Sequence, residues 1–227
     1  MIRMKNTALA IALATLSLGT NAAVVSFDAP LTLETTEINQ TLSLGMFDAT
    51  LGTLDSISIE LFGQAISSAS IQNKAAQAQL FGFTSTLNLI FSGSPLAEII
   101  SLALFNTGSI PGADGLGRIS INAGQTYDLG TVDVSKSVVL NVNAANFASF
   151  IGNDAFNLNC ESLVSNSQIG GGGNISVNQA TQAGCGAKVT YAYTESPRDP
   201  NPVPEPGSLA LLGLGLVGLA GLRRKTR

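Results

Sequence analysis

Two cysteines and fifteen carboxylates are the side chains of this 227-residue chain best suited to chemistry, and histidine is absent. That absence removes Ser-His-Asp and Cys-His nucleophilic catalysis and every His-ligated metal site. Cys160 and Cys185 lack C-x-x-C spacing and have no neighbouring base, which disfavours a redox-active pair. Two thiolates are also too few to hold a metal by themselves. In an exported chain an even pair reads most simply as a disulfide. It would close a loop of 25 residues and add on the order of 3 kcal/mol. The expected effect is to pin the glycine-rich Ile169–Asn174 loop to the final strand.

The carboxylates are scattered. Asp128 and Asp133 bracket an extended segment, and Asp114 sits in Gly112-Ala113-Asp114-Gly115. Oxygen-rich loops can hold Ca²⁺, but no stretch follows the D-x-D-x-D-G pattern, so solvated turn aspartates are expected. Glu34, Glu37, Glu60, Glu98 and Glu161 show no spacing that selects a pair for glycoside hydrolysis. Aromatic sugar platforms are in short supply, with no tryptophan and three tyrosines. Tyr191 and Tyr193 share one sheet face and read as packing. Gly170 to Gly173 is no phosphate loop, because no Lys-Ser/Thr follows and the next segment reads as a strand. The sequons Asn39-Gln40-Thr41 and Asn174-Ile175-Ser176 are at the background frequency of an Asn- and Ser-rich chain.

The elements that must position these residues read as β. Apolar residues recur every second position in Leu54–Leu61, with polar ones between them. Thr41–Phe47, Gln79–Phe91, Thr126–Val134, Val138–Val142, Asn174–Asn178 and Lys188–Tyr193 behave alike. Gly, Asn and Asp punctuate the gaps, as in Gly108–Gly117. Short strands with turn signals between them predict an antiparallel β-sandwich. Ser94–Phe105 fits a strand or a helix, and Asn143–Phe150 fits a helical turn or two.

The ends follow another logic. Arg3 and Lys5, the uncharged run Ala8–Leu18 and the small residues Thr20-Asn21-Ala22-Ala23 read as a signal peptide over 1–23, cleaved after Ala22 or Ala23. At the other end, prolines crowd a linker over 196–203. Gly207–Leu222 then runs sixteen residues without a charge. As a helix this reaches about 24 Å, short for a bilayer core of roughly 30 Å. Arg223, Arg224, Lys225 and Arg227 close the chain as a cytoplasmic stop-transfer cluster. Gly213, Gly215, Gly218 and Gly221 permit close helix packing in a membrane. An ordinary permanent membrane anchor is the alternative reading.

The tail resembles the PEP-CTERM sorting signal. The residues that carry the likeness are Val203-Pro204-Glu205-Pro206, Gly207-Ser208-Leu209 opening the helix, and Arg223-Arg224-Lys225. The resemblance implies recognition by an exosortase, an integral-membrane, cysteine protease-like transpeptidase of Gram-negative bacteria that secrete exopolysaccharide. It also implies processing near Pro204–Pro206. The body, over about 30–194, resembles the choice-of-anchor E family of bacterial surface proteins. That likeness rests on Phe47-Asp48-Ala49-Thr50-Leu51-Gly52-Thr53-Leu54, Phe147-Ala148-Ser149-Phe150-Ile151-Gly152, Gly172-Gly173-Asn174-Ile175-Ser176 and Val189-Thr190-Tyr191-Ala192-Tyr193. It implies an extracellular β-domain and supplies no catalytic residues.

Together these readings predict an all-β chain: a signal peptide, an extracellular antiparallel β-sandwich over 24–195, a Pro-rich linker, and a sorting signal over 204–227 with a short transmembrane helix. Residues 24–203 hold five basic and fourteen acidic side chains, a net charge of −9. A nucleic-acid partner is therefore not expected. A polysaccharide partner would be neutral, or bridged by a divalent cation. The expected function is that of an exported, non-catalytic surface or biofilm-matrix protein without a cofactor. Its expected partners are signal peptidase, an exosortase, the membrane during sorting, and exopolysaccharide. A membrane-tethered precursor would pass to the cell surface, outer envelope or extracellular matrix. A sugar- or calcium-binding adhesive module and a carboxylate-dependent glycan enzyme are the alternatives.

Overall fold

The computed structural model describes residues 22–93 and 96–196. Ten strands run in chain order: β1 (Ala22–Ala29), β2 (Glu34–Thr35), β3 (Asn39–Gly45), β4 (Gly52–Asn73), β5 (Gln79–Gly93), β6 (Leu96–Asn106), β7 (Ile119–Ile121), β8 (Thr126–Asn141), β9 (Ala155–Gly170) and β10 (Ile175–Glu195). They form two antiparallel sheets packed face to face. Sheet A has the order β1-β10-β4-β8, with β2 also on β10; sheet B has the order β3-β9-β5-β6, with β7 also on β5. Numbering only the eight longer strands along the chain, sheet A reads one-eight-three-six and sheet B two-seven-four-five. That is the strand order of a jelly roll, two interlocked Greek keys.

Alternation explains the core. On β4 the inward residues are Ile57, Ile59, Leu61, Gly63, Ala65, Ser67, Ala69 and Ile71, and their β10 partners run from Tyr191 down to Val177. Phe81, Phe83, Leu87, Leu89 and Phe91 of β5 close against them from sheet B, all buried. Gly63 lies opposite Cys185 in the register. A Cβ at Gly63 would collide with Leu89 Cδ1, so the small residue is what lets the sheets close there.

Several predicted strands prove to be parts of longer ones. Leu54–Leu61 opens a strand of 22 residues. Its second half carries inward Gly63, Ala65, Ser67 and Ala69, which are too small to mark a buried face. Thr126–Val134 and all of Val138–Val142 but its last residue belong to β8, which runs through Lys136 and a bulge opposite Ala69 and Ser70. Asn174–Asn178 and Lys188–Tyr193 are the two ends of β10. The ambiguous Ser94–Phe105 segment is strand β6 from Leu96 on. Asn143–Phe150 contains a 3₁₀ turn at Ala144–Phe150, capped by the Asn143 side chain on the Ala145 amide.

The edges β6 and β8 carry charges where the register points inward: Glu98 opposite Phe91 and Lys136 opposite Gly63. Such charges discourage edge-to-edge pairing. Among the described residues no helix is long and apolar enough to cross a membrane. The segment read as a membrane helix, 207–222, lies outside them, as does the signal peptide up to Asn21. β1 opens at Ala22, opposite Thr194, so both bonds proposed for signal cleavage fall within that strand.

Candidate functional site

Cys160 and Cys185 form a disulfide, with Cα atoms 6.4 Å apart, inside the usual range. Both residues are fully buried. The bond joins β9 to β10 and so ties sheet B to sheet A across the middle of the sandwich. It does not lie at the Ile169–Asn174 loop, as first expected: Cys160 pairs with Phe91, whereas the loop begins at Gly170, opposite Phe81. Gln40 shields the bond from one side. Its Oε1 accepts from the Cys185 amide at 3.0 Å, while its Nε2 donates to Thr32 O and Glu34 Oε1, each at 2.8 Å.

The candidate carboxylates are engaged separately. Asp114 Oδ1 accepts from the amides of Leu116 and Arg118, both at 2.9 Å. Its Oδ2 takes the Arg118 guanidinium at 2.7–2.8 Å. Arg118 holds this carboxyl below the ordinary aspartate range. Asp128 caps the Gly130 amide at 2.8 Å in the β8 bulge. Asp133 accepts from Gln64 Nε2 at 2.7 Å. Among the described residues no group of three or more His, Cys, Asp or Glu side chains is placed to share a metal ion.

The two tyrosines face inward. Tyr191 is fully buried and donates its hydroxyl to Gly45 O at 2.9 Å. Burial pushes its phenol well above the ordinary value. Phe47 lies against both rings, with centroids 5.6 Å from Tyr191 and 5.2 Å from Tyr193. Gly170, Gly171 and Gly172 have φ of +84°, +71° and +55°, a left-handed turn that favours glycine. A Cβ on Gly171 would strike Ile175 and Phe81. This turn is structural and leads into a strand. The sorting residues Val203, Pro204, Glu205 and Pro206 and the basic cluster Arg223, Arg224, Lys225 and Arg227 lie outside the described residues.

A polar layer crosses the interior between the two sheets. Ser67 of β4, Ser85 of β5 and Thr181 of β10 are 1%, 1% and 8% exposed. Half-buried Gln179 bridges them: its Nε2 is 3.2, 3.0 and 3.2 Å from the hydroxyls of Ser67, Ser85 and Thr181. Ser67 and Thr181 are themselves 2.7 Å apart. Sequence reasoning missed this layer. Around Ser67 and Gln179 polar residues fall on both faces, so alternation gives no sign of which ones are inside.

Outside sheet A, above this layer, two hollows of about 380 and 530 Å³ adjoin one another, sharing Ser68, Thr131 and Ala180. Their floor is small because Ser68 pairs with Ala180 on one side and Thr131 on the other. Thr35 and Thr36 wall one end, beside Gln179, and Asp128 stands at the other.

Residues 202–225 match the PEP-CTERM protein-sorting motif. The motif implies an exported protein that an exosortase sorts to the cell surface. No curated protein matches the chain. Among solved structures, the chain is similar to that of the T13 viral particle of infectious bursal disease virus, at 11% identity, 88% of this chain, 47% of that one and a TM-score of 0.21. The Gt strain of the same virus gives 14%, 95%, 53% and 0.19. The parasporin-2 toxin of Bacillus thuringiensis gives 16%, 77%, 69% and 0.13. The chain spans about half the length of these viral chains. At such scores the likenesses carry no argument, and the sandwich rests on its own strand order.

Proposed function

We propose that this chain is a non-catalytic module of the cell surface or the exopolysaccharide matrix, of the choice-of-anchor E type. In this reading the signal peptide exports it and the C-terminal helix with its basic cluster holds it in the membrane. The exosortase then processes it near Pro204–Pro206. The observation that carries the reading is the PEP-CTERM motif at 202–225, downstream of a disulfide-bonded sandwich that ends at Glu195. A scaffold role draws support from the carboxylates. Asp114, Asp128 and Asp133 each accept hydrogen bonds from their own loop or neighbouring strand.

Deleting residues 204–227 and fractionating the cells tests the sorting step. The truncated protein is expected to leave the surface and matrix fractions for the soluble periplasm or medium. An unchanged distribution would defeat the proposal.

A further inference from the structure

We propose that the trough on the outer face of sheet A, across β8, β4 and β10, binds a segment of an uncharged glycan. The inference rests on the matrix reading above and names its ligand-binding surface. Its first support is shape. The two adjoining hollows give a continuous depression in the size range of ligand sites, floored by Ser68 and Ala180. Thr36 donates its amide to Thr181 O, and β2 reaches β10 only at Gln182 and Ala183. Among the described residues no strand pairs with β10 on that edge from Ile175 to Ala180, so an extended polymer can lie across β8, β4 and β10 and leave over a free edge.

The second support is chemistry. The polar side chains of the trough are hydroxyls and amides, among them Ser68, Ser70, Thr131, Asn178 and Gln182. Each offers both a donor and an acceptor, which is the need of a polyhydroxylated chain. Asp128 is the one charged side chain among its lining residues, and it already accepts from Gly130. No Lys or Arg lines it, and residues 24–203 carry a net charge of −9. An anionic polymer would therefore be repelled without a compensating contact.

The third support is the polar layer itself. Burying hydroxyls is unfavourable unless they are bonded, and apolar residues of similar volume would fill the same space without that requirement. Ser67, Ser85 and Thr181 all bond Gln179, and Ser67 also meets Thr181 and the Ala180 carbonyl. They thereby hold the Gln179 amide on the inner face of sheet A, beneath the trough, and fix β10 against β4 and β5. A floor held on a rigid layer of this kind is what a binding surface requires. No aromatic residue lines the trough, so stacking contributes nothing. Single segments should bind weakly, with Kd of about millimolar, and a polymer offers many segments.

The test is native electrophoresis of the processed, exported protein through gels containing dextran, hydroxyethyl cellulose or alginate. Retardation by at least one neutral polymer, and none by alginate, is expected. Ser70→Ala with Asn178→Ala removes two polar side chains of the lining, and Ala180→Phe fills the floor; each should reduce the retardation at least threefold. Circular dichroism and thermal unfolding confirm that the variants fold; should Ala180→Phe fail to fold, the double variant decides. No retardation in either neutral gel overturns the proposal. So does equal retardation by alginate, or retardation that the variants leave unchanged. Wild-type protein that reaches the surface without being retarded sinks this inference and leaves the sorting reading standing; protein that is retarded but never reaches the surface does the reverse.

Discussion

Two layers of the interior lie only two inward positions apart on β10, and they are built on opposite principles. At Cys185 the sheets are joined covalently, with Gly63 and Leu89 packed around the bond. At Thr181 they are joined by hydroxyls and one amide. The first layer is sealed: Cys160, Cys185, Leu61 and Leu89 have no solvent exposure. The second reaches solvent through Gln179. A fold under selection for stability alone would gain little from the second arrangement, because buried hydrogen bonds largely replace bonds to water. The contrast assigns cohesion to the disulfide layer and the fixed register of β10 on β4 to the polar one.

Removing the disulfide should therefore give the largest effect. Cys160→Ser with Cys185→Ser frees a 25-residue loop, at a cost of about 3 kcal/mol. Urea unfolding of the oxidised and reduced wild type, beside the double variant, measures it. A loss smaller than that of any polar-layer variant would invert the comparison.

The second layer should respond less, and in a non-additive way. Thr181→Val alone takes a partner from Ser67 and Gln179 and should destabilise by about 1 kcal/mol. Changing Ser67→Ala, Ser85→Ala, Thr181→Val and Gln179→Leu together removes every member of the network and should recover most of that loss. Four additive losses in chemical unfolding would mean that the network is cohesive after all, and the division of labour between the layers would fall.

The two layers also differ in how far they could be read in advance. Alternation marks the sandwich wherever inward residues are large, as at Leu54–Leu61 and Gln79–Phe91. The disulfide followed from export and an even cysteine count. Its position did not, because a 25-residue loop says nothing about which sheets its ends join. β9 was not anticipated: Asn157, Asn159, Glu161, Ser165 and Ser167 fall on its outer face, and its inward Leu158, Cys160 and Ser162 are too few and too mixed to announce a strand. The polar layer was hidden for a related reason. Serine and threonine can be surface or interior, and only the register with β4 and β5 decides. The sorting motif was the most legible part, because it is recognised as an ordered string of residue types rather than as a packed surface.

The surface pair at the Gly112–Arg118 loop supplies the baseline for both layers. Asp114 and Arg118 make an ion pair that is about one-third exposed, so solvent weakens it and its contribution should be the smallest of those considered. Its sign is nevertheless fixed. Arg118 lowers the Asp114 carboxyl in the folded protein, while in the unfolded chain it titrates near 3.9. The folded state thus binds fewer protons than the unfolded state between those two values. The stabilisation is fully present above pH of about 4 and disappears as pH falls through the folded value. Asp114→Asn should remove that part of the acid dependence, its small loss of stability falling at mid-pH and vanishing at low pH. Carboxyl chemical shifts of the wild type between pH 2 and 6 give the direct reading. An Asp114 that titrates at or above the ordinary aspartate value would show that the pair does not hold the loop in solution.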